Sequence, residues 1–204
     1  MIDAKRMKSA HIQTVVTILI PFCLWTLLLL IIPYSALLGL LLKIALWGIP
    51  AYFFPRLADS VNPNGFLLLN RAPQWKWIFL SAIFLVAYSS LTNIGKIEIE
   101  SISVFYFVSA VVISPIVEEV AFRGVVLQKL NQLTGFMIGN AVTAVLFMLY
   151  HIPLWFTRGQ GISMTACLWV LFFSLCMGYF LYESKSLWTC IIIHAVQNLL
   201  LGIL

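Results

Sequence analysis

The chain has 204 residues, 62% hydrophobic and 9% charged; soluble domains carry roughly a quarter charged residues to meet water, so an ordinary soluble fold is excluded. Its net charge of +5, from 12 Lys and Arg against 7 Asp and Glu, is spread singly between apolar blocks, which argues against a nucleic-acid partner and for charge that reports membrane topology. The apolar blocks are continuous rather than alternating, which excludes a transmembrane barrel and predicts an all-α, polytopic helical membrane protein embedded in the lipid bilayer.

The first apolar run, near 12–32, follows Lys5, Arg6 and Lys8 as a signal peptide would, yet it is too long and lacks a small-residue cleavage site. It is expected to remain as an anchor helix. A second run, near 34–54, leads into the longest loop, marked by Arg56, Asp59, Asn62, Pro63, Asn64, Gly65 and Arg71. Trp75 and Trp77 then mark a membrane interface. Further runs lie near 77–94, 103–130, 136–156, 162–182 and 187–203. The reading is about seven transmembrane helices in one integral unit, three within 1–100 and four within 101–204. A cytoplasmic N-terminus places Lys5, Arg6, Lys8, Arg56, Arg71, Lys76, Lys129 and Lys185 inside, against Lys96 and Arg158 outside. Lys43 and Arg123 alone fall within predicted helices, and Lys43 is expected to snorkel or to face a neighbouring helix. Cys23, Cys167, Cys176 and Cys190 sit in apolar runs without a C-x-x-C pair and read as small buried hydrophobes.

Chemistry is therefore sought in the fourth to seventh crossings. Ser114 to Arg123 places Glu118, Glu119 and Arg123 in an otherwise apolar helix. Each charge there costs about 2.5 to 3.5 kcal/mol on insertion scales, or on the order of 8 to 10 kcal/mol for three before pairing. Glu119 and Arg123, four apart, are expected to pair on one face, which leaves Glu118 free to work. Pro115 should kink this helix beside Glu118. The fifth crossing offers Phe147 and His151 and the seventh His194 and Asn198, each an i, i+4 pair. Measured from the predicted cytoplasmic helix ends, the depths of Glu118, His151, His194 and Asn198 scatter over roughly 12 Å. Helix ends, tilts or kinks must absorb that difference.

A Glu, two His and an Asn in one pocket suit hydrolysis. The Glu takes a proton from water, one imidazole helps to hold that water, and the Asn amide and the other imidazole donate to the oxyanion. Glu118, His151 and His194 also form a possible ligand set for a divalent metal such as zinc, although there is no H-E-x-x-H. The residues alone leave metal-free and metal-assisted chemistry open. Serine chemistry is weaker, since there is no G-x-S-x-G and Ser114 has no obvious base in its own segment.

Three patterns in order, E-E-x-x-x-R at Glu118, Glu119 and Arg123, F-x-x-x-H at Phe147 and His151, and H-x-x-x-N at His194 and Asn198, resemble the motifs of the CPBP intramembrane proteases. That family, also called Abi, covers CaaX proteases and bacteriocin-processing enzymes and includes the type II CaaX prenyl endopeptidase. The resemblance extends over about 101–204. It implies an endopeptidase in which Glu118 and His151 activate water and His194 and Asn198 support the oxyanion, with Glu119, Arg123 and Phe147 ordering the site. Members are often labelled metalloproteases, whereas the type II CaaX enzyme is usually described as a glutamate protease. The implied substrate is a membrane-embedded, prenylated or bacteriocin-type peptide, and the implied setting a multi-pass protein of a bacterial plasma membrane, where relatives are linked to bacteriocin maturation or immunity. Two other classes compete: a proton-coupled transporter, which needs a polar path through both leaflets, and a non-enzymatic scaffold or immunity protein.

Overall fold

The computed structural model describes residues 4–58, 68–92 and 102–203, and among these every regular element is helical. The elements are α1 (Ala4–Ile31), α2 (Ala36–Lys43), π1 (Ile44–Gly48), α3 (Ile49–Ala58), α4 (Trp75–Thr92), α5 (Val104–Tyr106), π2 (Phe107–Ile113), α6 (Ser114–Glu119), π3 (Val120–Val126), α7 (Leu127–Thr134), α8 (Phe136–Thr157), α9 (Met164–Ser184) and α10 (Leu187–Ile203). Within the described residues, each apolar run of the sequence falls largely on helix. Among the described residues, Ala36–Phe53, Val104–Thr134, Phe136–Thr157 and Met164–Ser184 are long and apolar enough to cross a bilayer. Shorter apolar helices are Ile18–Ile31, Trp75–Leu91 and Leu187–Ile203. Asp59, Asn62, Pro63, Asn64, Gly65 and Lys96 lie outside the described residues, as do the side chains of Lys5, Arg6, Lys8 and Arg56.

Proline chemistry shapes two of the spans. The N–H of Ser114, just before Pro115, bonds the carbonyl of Ser109, and that of Ile49, just before Pro50, bonds Ile44. Both bonds reach back five residues instead of four. Proline has no N–H and its ring crowds the carbonyl four residues earlier. A wider π turn directly before it moves that carbonyl aside. The break expected at Pro115 thus takes the form of π2, and Pro50 produces the same device in π1, next to Lys43.

Loop contacts tie the ends of the bundle together. The Leu68 carbonyl accepts from the Leu187 N–H at 3.1 Å, the Leu69 carbonyl accepts from Trp188 Nε1 at 3.0 Å, and Ser186 Oγ donates to the Arg71 carbonyl at 2.9 Å. At another end Arg158 donates to the Tyr34 hydroxyl through Nη2 at 2.7 Å. The strap at Leu68–Arg71 covers the start of α10, where Ser186 and Leu187 are fully buried. The first residues of α10 are therefore enclosed by protein.

An aromatic core joins the first helices to the later ones. Trp25 stacks on Tyr150 at 4.9 Å between centroids and donates Nε1–H to the Tyr150 carbonyl at 3.1 Å. Trp47 stacks on Phe122 at 5.0 Å, and Phe122 meets Phe147 edge-on at 5.0 Å. Large apolar side chains such as Leu27, Phe79, Ile83 and Leu91 point outward, while the ionisable side chains of α2 and α6 are buried, the distribution expected of a protein dissolved in lipid.

Candidate active site

Two carboxylates and two cations make a charge-balanced group inside the bundle. Glu119 and Arg123 form the expected i, i+4 pair on one helix, with Nη1 at 3.1 Å from Oε1, and both side chains are fully buried. Arg123 Nη2 also donates to Ser174 Oγ at 2.7 Å on α9, and its guanidinium carbon lies 4.4 Å from the centre of the Phe147 ring. The motif phenylalanine therefore serves as a face for the buried cation.

Glu118 is not free, contrary to the sequence expectation. Lys43 of α2 places Nζ 2.5 Å from Glu118 Oε1 and 2.9 Å from Ser114 Oγ, and is itself buried. Of the two alternatives for Lys43, it faces a neighbouring helix. The polar group is consequently not confined to the fourth and later crossings. A buried carboxylate needs such a counter-ion, since a lone charge out of water is far more costly than a paired one. Close approach of the two helices makes the reach possible. A Cβ at Gly48 would sit 3.3 Å from Val117 Cγ2, so π1 and α6 approach closely at this point.

His194 on α10 lies between the carboxylates. Its Nδ1 is 2.7 Å from Glu119 Oε1, and its Nε2 is 3.7 Å from Glu118 Oε2. A carboxylate only accepts, so Nδ1 carries a hydrogen and the ring turns its Nε2 toward Glu118. At 3.7 Å that second contact is longer than a hydrogen bond. His151 is oriented in a similar way, its Nδ1 donating to the Phe147 carbonyl at 2.8 Å. The ring lies within electrostatic reach of Glu118, Lys43 and His194. Asn198, one turn beyond His194 on α10, donates Nδ2–H to the Ala110 carbonyl at 2.8 Å while its own backbone carbonyl accepts from the Tyr106 hydroxyl at 2.9 Å. These bonds fasten α10 to α5 and π2.

The structure thus brings Glu118, Glu119, Arg123, His194, Phe147 and His151 into one neighbourhood and uses the Asn198 amide one turn further along α10. Sequence reasoning missed Lys43, Ser174 and the Trp25, Trp47 and Tyr150 enclosure. The one available signal for Lys43 was its cost as a charge in the middle of an apolar helix.

The donor set does not fit a resident metal as arranged. Among the described residues no three His, Cys, Asp or Glu side chains gather at ligand spacing. Glu118 Oε1 is already bonded to an ammonium, which stands where a cation would bind.

Residues 100–200 match the family model described as type II CAAX prenyl endopeptidase Rce1-like. This half of the chain belongs to the CAAX protease family. Searches of curated proteins and of solved structures returned no match. The matched CAAX protease segment contains Glu118, Glu119, Arg123, Phe147, His151, His194 and Asn198. Lys43 lies outside it. Together, the four long apolar helices and the family make this a membrane protein of a protease family.

Proposed function

We propose that the protein is an intramembrane endopeptidase that uses Glu118 as a general base to hydrolyse a peptide bond in a membrane-associated, lipid-modified peptide. The observation that carries this reading is the geometry around Glu118. One carboxylate oxygen is held by Lys43, and the other faces a histidine whose orientation is set by a second, Arg-paired carboxylate. Glu118 Oε2 takes a proton from water while the water oxygen bonds the scissile carbonyl carbon. The carbonyl electrons move onto oxygen. When the carbonyl re-forms, the C–N bond breaks and Glu118 returns the proton to the leaving nitrogen. His151 Nε2 is a second acceptor for the attacking water.

An apolar cavity of about 240 Å³ supports a lipid-modified substrate. It is lined by Trp77, Phe84, Trp169, Phe173 and Ile193, and the Phe173 ring is 5.4 Å from the His194 ring. A hydrocarbon chain seated there would lie beside the polar group.

Seven crossings with a cytoplasmic N-terminus are the proposed topology, in a multi-pass protein of the plasma membrane. The loop contacts are consistent with it, since Arg71 and Lys185 cluster at the α10 strap and Arg158 meets Tyr34 elsewhere. In this arrangement 101–204 is the catalytic core and 1–100 encloses it.

The test is incubation of the detergent-purified protein with a prenylated peptide and with its unmodified counterpart, products being read by mass spectrometry. Cleavage of the prenylated peptide that is abolished by Glu118→Gln is expected. Undiminished cleavage by that variant would refute the assignment.

A further inference from the structure

Hydrolysis through an oxyanion needs N–H or O–H donors aimed at the developing charge, and removing one such donor typically costs about 100- to 1000-fold in kcat. Several of the donors around Glu118 are already engaged, although the buried Tyr150 hydroxyl has no hydrogen-bond partner among the described residues. His194 gives Nδ1–H to Glu119, and His151 gives its own to the Phe147 carbonyl. Arg123 is bonded to Glu119 and Ser174 and is fully buried behind Phe147. The Asn198 amide donates to the Ala110 carbonyl.

Lys43 differs from all of these. An ammonium has three N–H donors, and among the described residues two are engaged, by Glu118 Oε1 and Ser114 Oγ. The third is available. Its nitrogen lies 2.5 Å from one oxygen of the carboxylate whose other oxygen would receive the proton of water. Base and cation therefore sit at the two ends of one carboxylate. A carbonyl attacked by water held at Oε2 develops its negative charge next to that cation. Burial excludes competing water from the ammonium and strengthens its interaction with new charge. Ser114 Oγ, at the start of α6, and Glu118, at its penultimate position, hold Nζ from two points, so the cation is oriented before substrate arrives.

We infer that Lys43 is a catalytic residue, contributed by the N-terminal helices, whose ammonium binds the oxyanion of the tetrahedral intermediate while serving as the counter-ion of Glu118. The inference rests on Glu118 as the base, and it adds a residue that lies outside the segment matched to the family. It adds a cationic donor to the polar group around Glu118. The same ammonium returns to sharing its charge with Glu118 when the carbonyl re-forms and the C–N bond breaks.

The test compares binding of two probes, a peptide phosphinate that mimics the tetrahedral oxyanion and the corresponding uncleaved peptide. Measurements are made on Glu118→Gln and on Glu118→Gln/Lys43→Met. The second variant removes both charges of the pair and so leaves no unpaired ion to unfold the bundle. Loss of Lys43 is expected to weaken phosphinate binding by about 100-fold while changing affinity for the peptide by no more than about twofold. Equal losses for both probes, or no loss for the phosphinate, would overturn the role of Lys43. Turnover that persists in Glu118→Gln would instead overturn the assignment of Glu118 as base, so the two failures are distinguishable.

Discussion

Replacing Arg123 by methionine strips Glu119 of its cation at a place where neither side chain touches solvent. Breaking a buried pair from one side leaves an uncompensated charge and costs about 3 to 5 kcal/mol. The variant also loses the donor to Ser174 Oγ at 2.7 Å and the cation over Phe147 at 4.4 Å. Glu119→Gln/Arg123→Met removes both charges together, and the amide oxygen of the introduced glutamine can still accept from His194 Nδ1. The double variant should therefore be more stable than Arg123→Met alone, with a coupling of about 2 to 3 kcal/mol in a double-mutant cycle. Activity should not follow stability. Without a carboxylate behind it His194 is less firmly oriented, and cleavage should stay about 10- to 100-fold below wild type, the usual cost of losing a carboxylate that orients a functional histidine. Reversible unfolding by SDS in mixed micelles gives the stabilities, and peptide cleavage gives the rates. A coupling below about 0.5 kcal/mol would refute the claim that the Glu119–Arg123 pair is desolvated and energetically linked.

Gly178→Ala should destabilise the protein by about 1 to 3 kcal/mol in the same unfolding assay, because a Cβ there would stand 1.8 Å from Asn140 Oδ1; unchanged stability would show that the Asn140 side chain swings aside without cost. Trp25→Phe keeps a ring over Tyr150 but deletes the Nε1–H donated to the Tyr150 carbonyl at 3.1 Å. A loss of about 1 kcal/mol is expected, with cleavage largely retained. Since Glu118 Oε1 is bonded to an ammonium, prolonged dialysis against EDTA should leave cleavage intact. Activity that disappears on chelation and returns with zinc would refute the metal-free reading.

Much of the fold was legible because lipid imposes a simple code: apolar runs become helices that satisfy their own backbone. The Glu119–Arg123 pair was legible for a local reason, four residues being just over one helical turn. Glu118 was misread by the same local logic. The face opposite a pair looks free when a single helix is considered, but its partner Lys43 comes from 75 positions away. Hydropathy marks where α10 begins but not that the strap at Leu68–Arg71 buries that beginning.

By itself, the amino-acid sequence determined the solvent of this protein, its helical class and the costly side chains that mark its polar centre, because these follow from composition and from spacing within one helix. Tertiary structure alone decided the pairing of those side chains across helices. Lys43 meets Glu118, His194 meets Glu119, and Asn198 is fastened to Ala110. Such contacts depend on the rotation, level and approach of whole helices. Those are set here by the π turns before Pro50 and Pro115, by the absence of a side chain at Gly48 and by the strap over α10, features that act through packing and leave no periodic mark in the chain.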